Sequence, residues 1–240
     1  MKLIFIRHGE PDYSSDTLTE KGRREAAFLG ERVKDWKVDG FYVSCLGRAR
    51  QTAEPLEKVL GRKAIVLDWL QEFRGKVDSK YSVKNGLPWD FAPSFWTGYP
   101  ELFDKDRWYE SEVMGPCAGA PSVKDVYLET CRELDNLLKK WGYEREKGYY
   151  RVTGNRDVTL VLVCHMGITF IMLSYLLGMA FPTLIHGCFL PPTSVTAVCS
   201  EEVEAGIAHF RCQGMGDVRH LHKNGEPISD CGYFTEVFQQ

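Results

Sequence analysis

The sequence predicts an α/β protein of three layers, α/β/α, with helices on both faces of a central sheet that is mostly parallel, and an aromatic-rich inserted cap. Three observations predict it. Short runs of β-forming apolar residues alternate with segments of helical period, the pattern of a sheet covered by helices. Val158 and the run at 160–163 are apolar without alternation, as in a strand buried on both faces. Residues 76–120 then break the pattern, with nine aromatics, Pro and Gly breakers, and no clean period. The chain has 240 residues, 44% apolar and 26% charged. That length is enough for a single domain, 1–240, with one substantial core and the cap inserted at about 76–120.

Taken in order, residues 2–6 read as a strand, 10–17 as a polar loop, and Thr19 as the cap of a helix whose apolar positions include Ala26, Phe28, Leu29 and Val33. Residues 40–44 make a second strand, 48–60 a helix ended by Gly61, and 64–67 a third strand. After the aromatic segment, Ser122 with Asp125 forms a capping box for an amphipathic helix to about Trp141. A polar stretch, 143–155, leads to the buried strand 157–164. Residues 167–177 are a nearly all-apolar helix stopped by Gly178. Two further strands, 194–199 and 206–212, suit an antiparallel pair. No internal repeat or low-complexity tract is visible.

Composition excludes several classes. A net charge of −3 gives no basic face for nucleic acid or an anionic membrane. The apolar run at the N-terminus is cut by Arg7, and no stretch reaches the roughly 18 apolar residues of a membrane span. The eight cysteines are scattered without a C-x-x-C pair, which suits free thiols in a reducing compartment, and the default location is the cytoplasm.

Chemistry concentrates at strand ends. Arg7-His8-Gly9-Glu10 follows the first strand at its carboxyl end, the edge where open α/β sheets bind ligands. His165 follows the buried strand in the same way, so two histidines on neighbouring parallel strands would face one cleft. The helix after His165 would turn its amides toward an anion there. Arg48 opens the second helix at the same edge. Arg50 diverges from it by about 200° around the axis, so one of the two faces the site, and Arg48 is preferred.

These segments together, with Leu18-Thr19, Gly22 and Ala26, Ser44 to Ala53, and Cys164-His165-Met166-Gly167, resemble the histidine phosphatase superfamily, the phosphoglycerate-mutase-like fold, in its phosphatase branch. The motifs fall in family order over residues 2–178. The resemblance implies hydrolysis of a phosphate monoester through a phosphohistidine on His8, without metal or other cofactor. It makes His8, Glu72, His165, Arg7 and Arg48 catalytic, with Arg7, Arg48, His165 and Ser14 on the phosphate. Attack on phosphorus needs a neutral nitrogen lone pair with cations on the equatorial oxygens. The forked guanidinium groups of Arg7 and Arg48 suit phosphate better than lysine would. Glu72 matches the family's acid after the third strand and would protonate the leaving alcohol. Glu10 and Asp12 compete with it, Glu10 being better suited to bracing Arg7 or the loop.

Pro11 and Cys45 depart from the family pattern in the phosphate loop but remove no catalytic group. The segment after Glu72 does not resemble the cofactor-dependent mutases, which favours hydrolysis over phosphoryl transfer. Mutase-type transfer, a non-catalytic phospholigand-binding protein and a two-histidine metallohydrolase are the rivals. His186, His209, His220 and His222 match no motif, and His220 with His222 is too isolated for a metal. The expected substrate is a small phosphorylated metabolite whose non-phosphate part meets the aromatic cap, or else the aromatics form a satellite core. Homo-oligomerisation stays open.

Overall fold

The computed structural model describes residues 1–82, 86–89 and 91–232; residues 83–85 and 90 of the aromatic segment lie outside it. The first strand, β1 (Lys2–Arg7), is followed by a small hairpin, β2 (Pro11–Asp12) and β3 (Thr17–Leu18), inside the stretch expected to be loop. Helix α1 (Glu20–Val33) starts where Thr19 accepts the Gly22 N–H. Strand β4 (Gly40–Ser44) leads to α2 (Gly47–Leu60), ended by Gly61 in the left-handed conformation, and β5 (Ile65–Leu67) follows.

The described residues of the aromatic segment form short turns of helix, among them α3 (Pro93–Trp96), and Lys76 bridges to Ser122. Helix α4 (Val123–Lys140) is capped by the Ser122 hydroxyl, which accepts the Asp125 N–H. The polar stretch beyond it forms a hairpin, β6 (Tyr143–Glu146) and β7 (Tyr149–Val152). Strand β8 (Thr159–Cys164) and α5 (Met166–Leu177) follow. A short helix not expected from the sequence, α6 (Phe181–Gly187), precedes β9 (Val195–Glu204), β10 (Ile207–Asp217) and α7 (Arg219–Lys223).

The sheet order is β5-β4-β8-β1-β9-β10-β7-β6. The half that carries the site, β5 to β1, is parallel throughout, and antiparallel pairing begins where β9 meets β1. Two-residue alternation sorts its side chains into two cores. Ile4 and Ile6, Phe41 and Val43, and Val161 and Val163 pack with Leu29 and Val33 of α1 and Ala49, Ala53 and Leu56 of α2. Leu3, Phe5, Tyr42, Leu160 and Leu162 face α4, α5 and α6 instead. Burial on both faces explains the uninterrupted apolar run of β8. The aromatic segment joins the second core: Trp108 packs on Tyr127 of α4 and Phe181 of α6, and Phe91 and Trp96 stack on His186. No helix among the described residues is long and apolar enough to cross a membrane.

Candidate active site

Register brings the two histidines together. Arg7 pairs with Cys164 across β1 and β8, so the next residue of each strand, His8 and His165, comes level at the carboxyl edge. Their ring centroids are 5.0 Å apart, close to the spacing of neighbouring strands.

His8 is 1% exposed. Its Nδ1 lies 2.7 Å from the Gly9 carbonyl oxygen. A carbonyl only accepts, so Nδ1 carries the hydrogen and Nε2 keeps the lone pair. Gly9 is held in turn: its N–H donates to the Thr52 hydroxyl at 2.9 Å, and Thr52 donates to the Arg48 carbonyl at 2.8 Å. Gly9 must be glycine, because a Cβ there would come within 2.7 Å of the Gly22 oxygen. Burial, and after it the positive charge of Arg7, pushes the His8 imidazole well below its usual range. The ring is neutral at pH 7.

Two buried guanidinium groups flank it. Arg7 donates from Nη1 to the Leu190 carbonyl at 2.6 Å and from Nη2 to the Cys231 carbonyl at 3.3 Å, and lies over the Phe189 ring. Arg48 donates to Asp16, which also accepts the Gly47 N–H at 2.6 Å, and lies beneath the Tyr13 ring. Arg48 is 9% exposed, whereas Arg50 points to solvent. The Nε atoms of Arg7 and Arg48 and Nδ1 of His165 are buried without a hydrogen-bond partner. His165 Nε2 is 2.9 Å from the Ser44 hydroxyl. Burial, with the neighbouring His8 and arginines, keeps this second imidazole neutral as well.

Glu72 meets the start of α5. Its Oε1 accepts the N–H groups of Ile168 at 3.0 Å and Phe73 at 2.8 Å, and Oε2 accepts Gly167 at 3.3 Å. The helix amides expected to receive a bound anion are therefore occupied by this carboxylate. Glu72 and His165 consequently share one helix terminus, and the His8 ring packs against His165.

The other candidates lie differently. Glu10 accepts from Thr19 at 2.9 Å and from Ser229 at 2.7 Å, bracing the loop and not Arg7. Asp12 accepts from the Ser14 N–H and from the Ser14 and Ser15 hydroxyls. Ser14 is thus an exposed group turned to Asp12. His186 is fixed by stacking and by the Pro182 carbonyl, and His220 bonds Thr193 and Arg32. His209 and His222 are exposed. Among the described residues no three His, Cys, Asp or Glu side chains group as a metal site, and all eight cysteines are free.

Sequence reading missed Thr52, Ser44, Asp16 and the carbonyls of Leu190 and Cys231. Thr52 lies one helical turn after Arg48, a spacing that could have placed it on the same face. The carbonyls leave no side-chain signal.

Residues 3–85 match the sequence model of the histidine phosphatase superfamily (branch 1). Over 81 residues the chain is 33% identical to a probable phosphoglycerate mutase of Photorhabdus laumondii, a match covering 30% of this chain and 38% of that protein. A probable phosphoglycerate mutase of Erwinia tasmaniensis is 35% identical over 77 residues, covering 28% and 35%. The matched stretch thus spans little more than a third of these curated relatives. Two solved structures share the fold across nearly the whole chain. One is a phosphoserine phosphatase from Entamoeba histolytica, with TM-score 0.61, 21% identity, and coverage of 92% of this chain and 98% of that one. The other is a mycobacterial glucosyl-3-phosphoglycerate phosphatase, with TM-score 0.59, 21% identity, and coverage of 90% and 98%.

Proposed function

We propose that this chain, which matches the histidine phosphatase superfamily over residues 3–85, hydrolyses a small phosphate monoester through a phosphohistidine on His8. The observation that carries the reading is the grouping of one neutral imidazole, with its Nε2 lone pair free, with three buried nitrogens that have no partner, Nε of Arg7, Nε of Arg48 and Nδ1 of His165. A tetrahedral dianion is the ligand that such donors would satisfy together.

In the first step His8 Nε2 forms a bond to phosphorus as the ester oxygen leaves. Glu72 supplies the proton that makes the leaving group a neutral alcohol. Its Oε2, with a single 3.3 Å contact, is the oxygen free to carry that proton. In the second step a water attacks phosphorus and gives its proton to Glu72, the N–P bond breaks, and inorganic phosphate departs with His8 restored. Arg7, Arg48 and His165 hold the phosphoryl oxygens throughout. The aromatic segment packs against α4 and α6, and Trp89, beside Phe73, brings it next to Glu72; we assign it the shaping of the leaving-group side.

The test is rapid-quench labelling with a phosphate ester and no added metal. Acid-labile, base-stable phosphate should appear on the protein and vanish in His8→Ala; labelling that survives in the variant overturns the assignment. The curated relatives favour a second reading, phosphoryl transfer between positions of a sugar acid. Under it the phosphate stays on an isomeric product, whereas hydrolysis releases it.

A further inference from the structure

We propose that Ser44 is a positioning residue whose hydroxyl fixes His165 as the Nδ1–H tautomer, so that the second imidazole donates to the phosphate that His8 attacks. The inference deepens the reading above and rests on it for the identity of the anion.

The geometry leaves the hydroxyl one satisfactory arrangement. Ser44, the last residue of β4, is fully buried, and its Oγ accepts the Leu46 N–H at 3.3 Å. Its other partner is His165 Nε2 at 2.9 Å. A neutral imidazole has one ring hydrogen, and its position decides which nitrogen donates. Placed on Nε2, that hydrogen would be a second donor aimed at Oγ. The Ser44 hydrogen would then have no acceptor in the pair, and the Nδ1 lone pair would face the phosphate oxygens. Placed on Nδ1, it lets Ser44 donate to Nε2 and turns the buried, unpaired Nδ1 into an N–H donor.

The two histidines are then held as opposite tautomers by different neighbours. The Gly9 carbonyl takes the Nδ1 hydrogen of His8 and frees Nε2 for attack. The Ser44 hydroxyl occupies Nε2 of His165 and frees Nδ1–H for binding. The pairing is built into the sheet, because β4 lies beside β8 in parallel register with Val43 opposite Val163. Ser44 and His165 leave these adjoining strands at the same edge.

The experiment is nitrogen NMR of the full chain with labelled histidine, at pH 7.5, free and with orthovanadate. The His165 signals are assigned by their loss in His165→Asn. Wild type should show a protonated Nδ1 and an unprotonated Nε2 at His165. Ser44→Ala should move hydrogen toward Nε2, weaken orthovanadate binding and lower kcat/KM, each by about tenfold, less than deletion of a donor outright costs. Ser44→Thr, which keeps the hydroxyl, should restore the wild-type tautomer. A wild-type His165 protonated at Nε2, or a Ser44→Ala spectrum unchanged at His165, overturns the proposal. The spectra need no turnover: if no phosphate ester is hydrolysed, the proposed function falls while the tautomer still decides the role of Ser44.

Discussion

His8 can act as a nucleophile only while its ring is neutral, and two features keep it so. Burial disfavours the imidazolium, and Arg7 adds repulsion that the Gly9 carbonyl only partly offsets. Both leave its folded value well below 6.5, so the lone pair survives as pH falls through the range in which an exposed histidine would protonate. The expected outcome is a kcat/KM, corrected for the substrate's own ionisation, that shows no acid limb near 6.5 as pH falls from 7.5 to 6. An acid limb centred near 6.5 would mean the ring is not held as described. At this scale the candidate site could be read from the sequence where side chains carry it, because His8, Arg7, Arg48 and His165 each sit at a strand end or helix start. It was not legible where backbone carries it. Leu190 and Cys231 contribute carbonyls to Arg7 from far along the chain, and no side-chain pattern records that.

The start of α5 is the element on which the proposed acid and the proposed phosphate pocket meet, and Gly167 decides whether they fit. A Cβ there would lie 2.7 Å from Glu72 Oε1 and 3.3 Å from the Phe73 Cβ. Gly167→Ala should therefore push the carboxyl off its amide partners while leaving both arginines and both imidazoles in place. kcat should fall by roughly 10- to 100-fold, since a displacement of about 1 Å suffices for such a loss. Orthovanadate, which needs no acid, should bind within about twofold of wild type. An unchanged kcat would remove Glu72 from the acid role. On α4 the Ser122 cap offers a plain control: Ser122→Ala should cost about 1 kcal/mol of stability with no change in kcat, measured by urea denaturation. Elements with strong period or caps were legible, including α1, α2, α4, α5 and the buried β8. The hairpin of β6 and β7 was not. Its sequence, YEREKGYYRV, is charged and half exposed, so burial writes little alternation into it, and its attachment to the sheet, through β7 to β10, comes from far away in sequence. The helix α6 was missed because it has seven residues, too few for a period to register.

For the molecule as a whole, pH acts on stability from two directions. His8, His165, His186 and His220 are all pushed below the usual histidine range by burial, His220 to about 4. The unfolded chain therefore binds more protons than the folded one below about pH 6.5, and stability falls as the solution is acidified through that point. Glu25 on α1 works the other way. It is fully buried, accepts the Glu10 N–H through Oε2, and leaves Oε1 without a partner. Burial, opposed by the Glu10 N–H, raises it from 4.5 to about 7. A raised carboxyl contributes stability that is full below 4.5 and is lost as pH rises through 7, so at pH 8 the protein carries a buried charge. Glu25→Gln keeps an acceptor for Glu10 and abolishes the titration, while every histidine is the same in both proteins. The variant should gain on wild type steadily from pH 5 to pH 8, by on the order of 3 kcal/mol across the titration. In thermal melts that appears as a Tm difference of several degrees at pH 8 that closes toward pH 5. A difference that does not vary with pH would place the Glu25 carboxyl in contact with water and leave acid loss at the histidines as the main pH dependence of the fold.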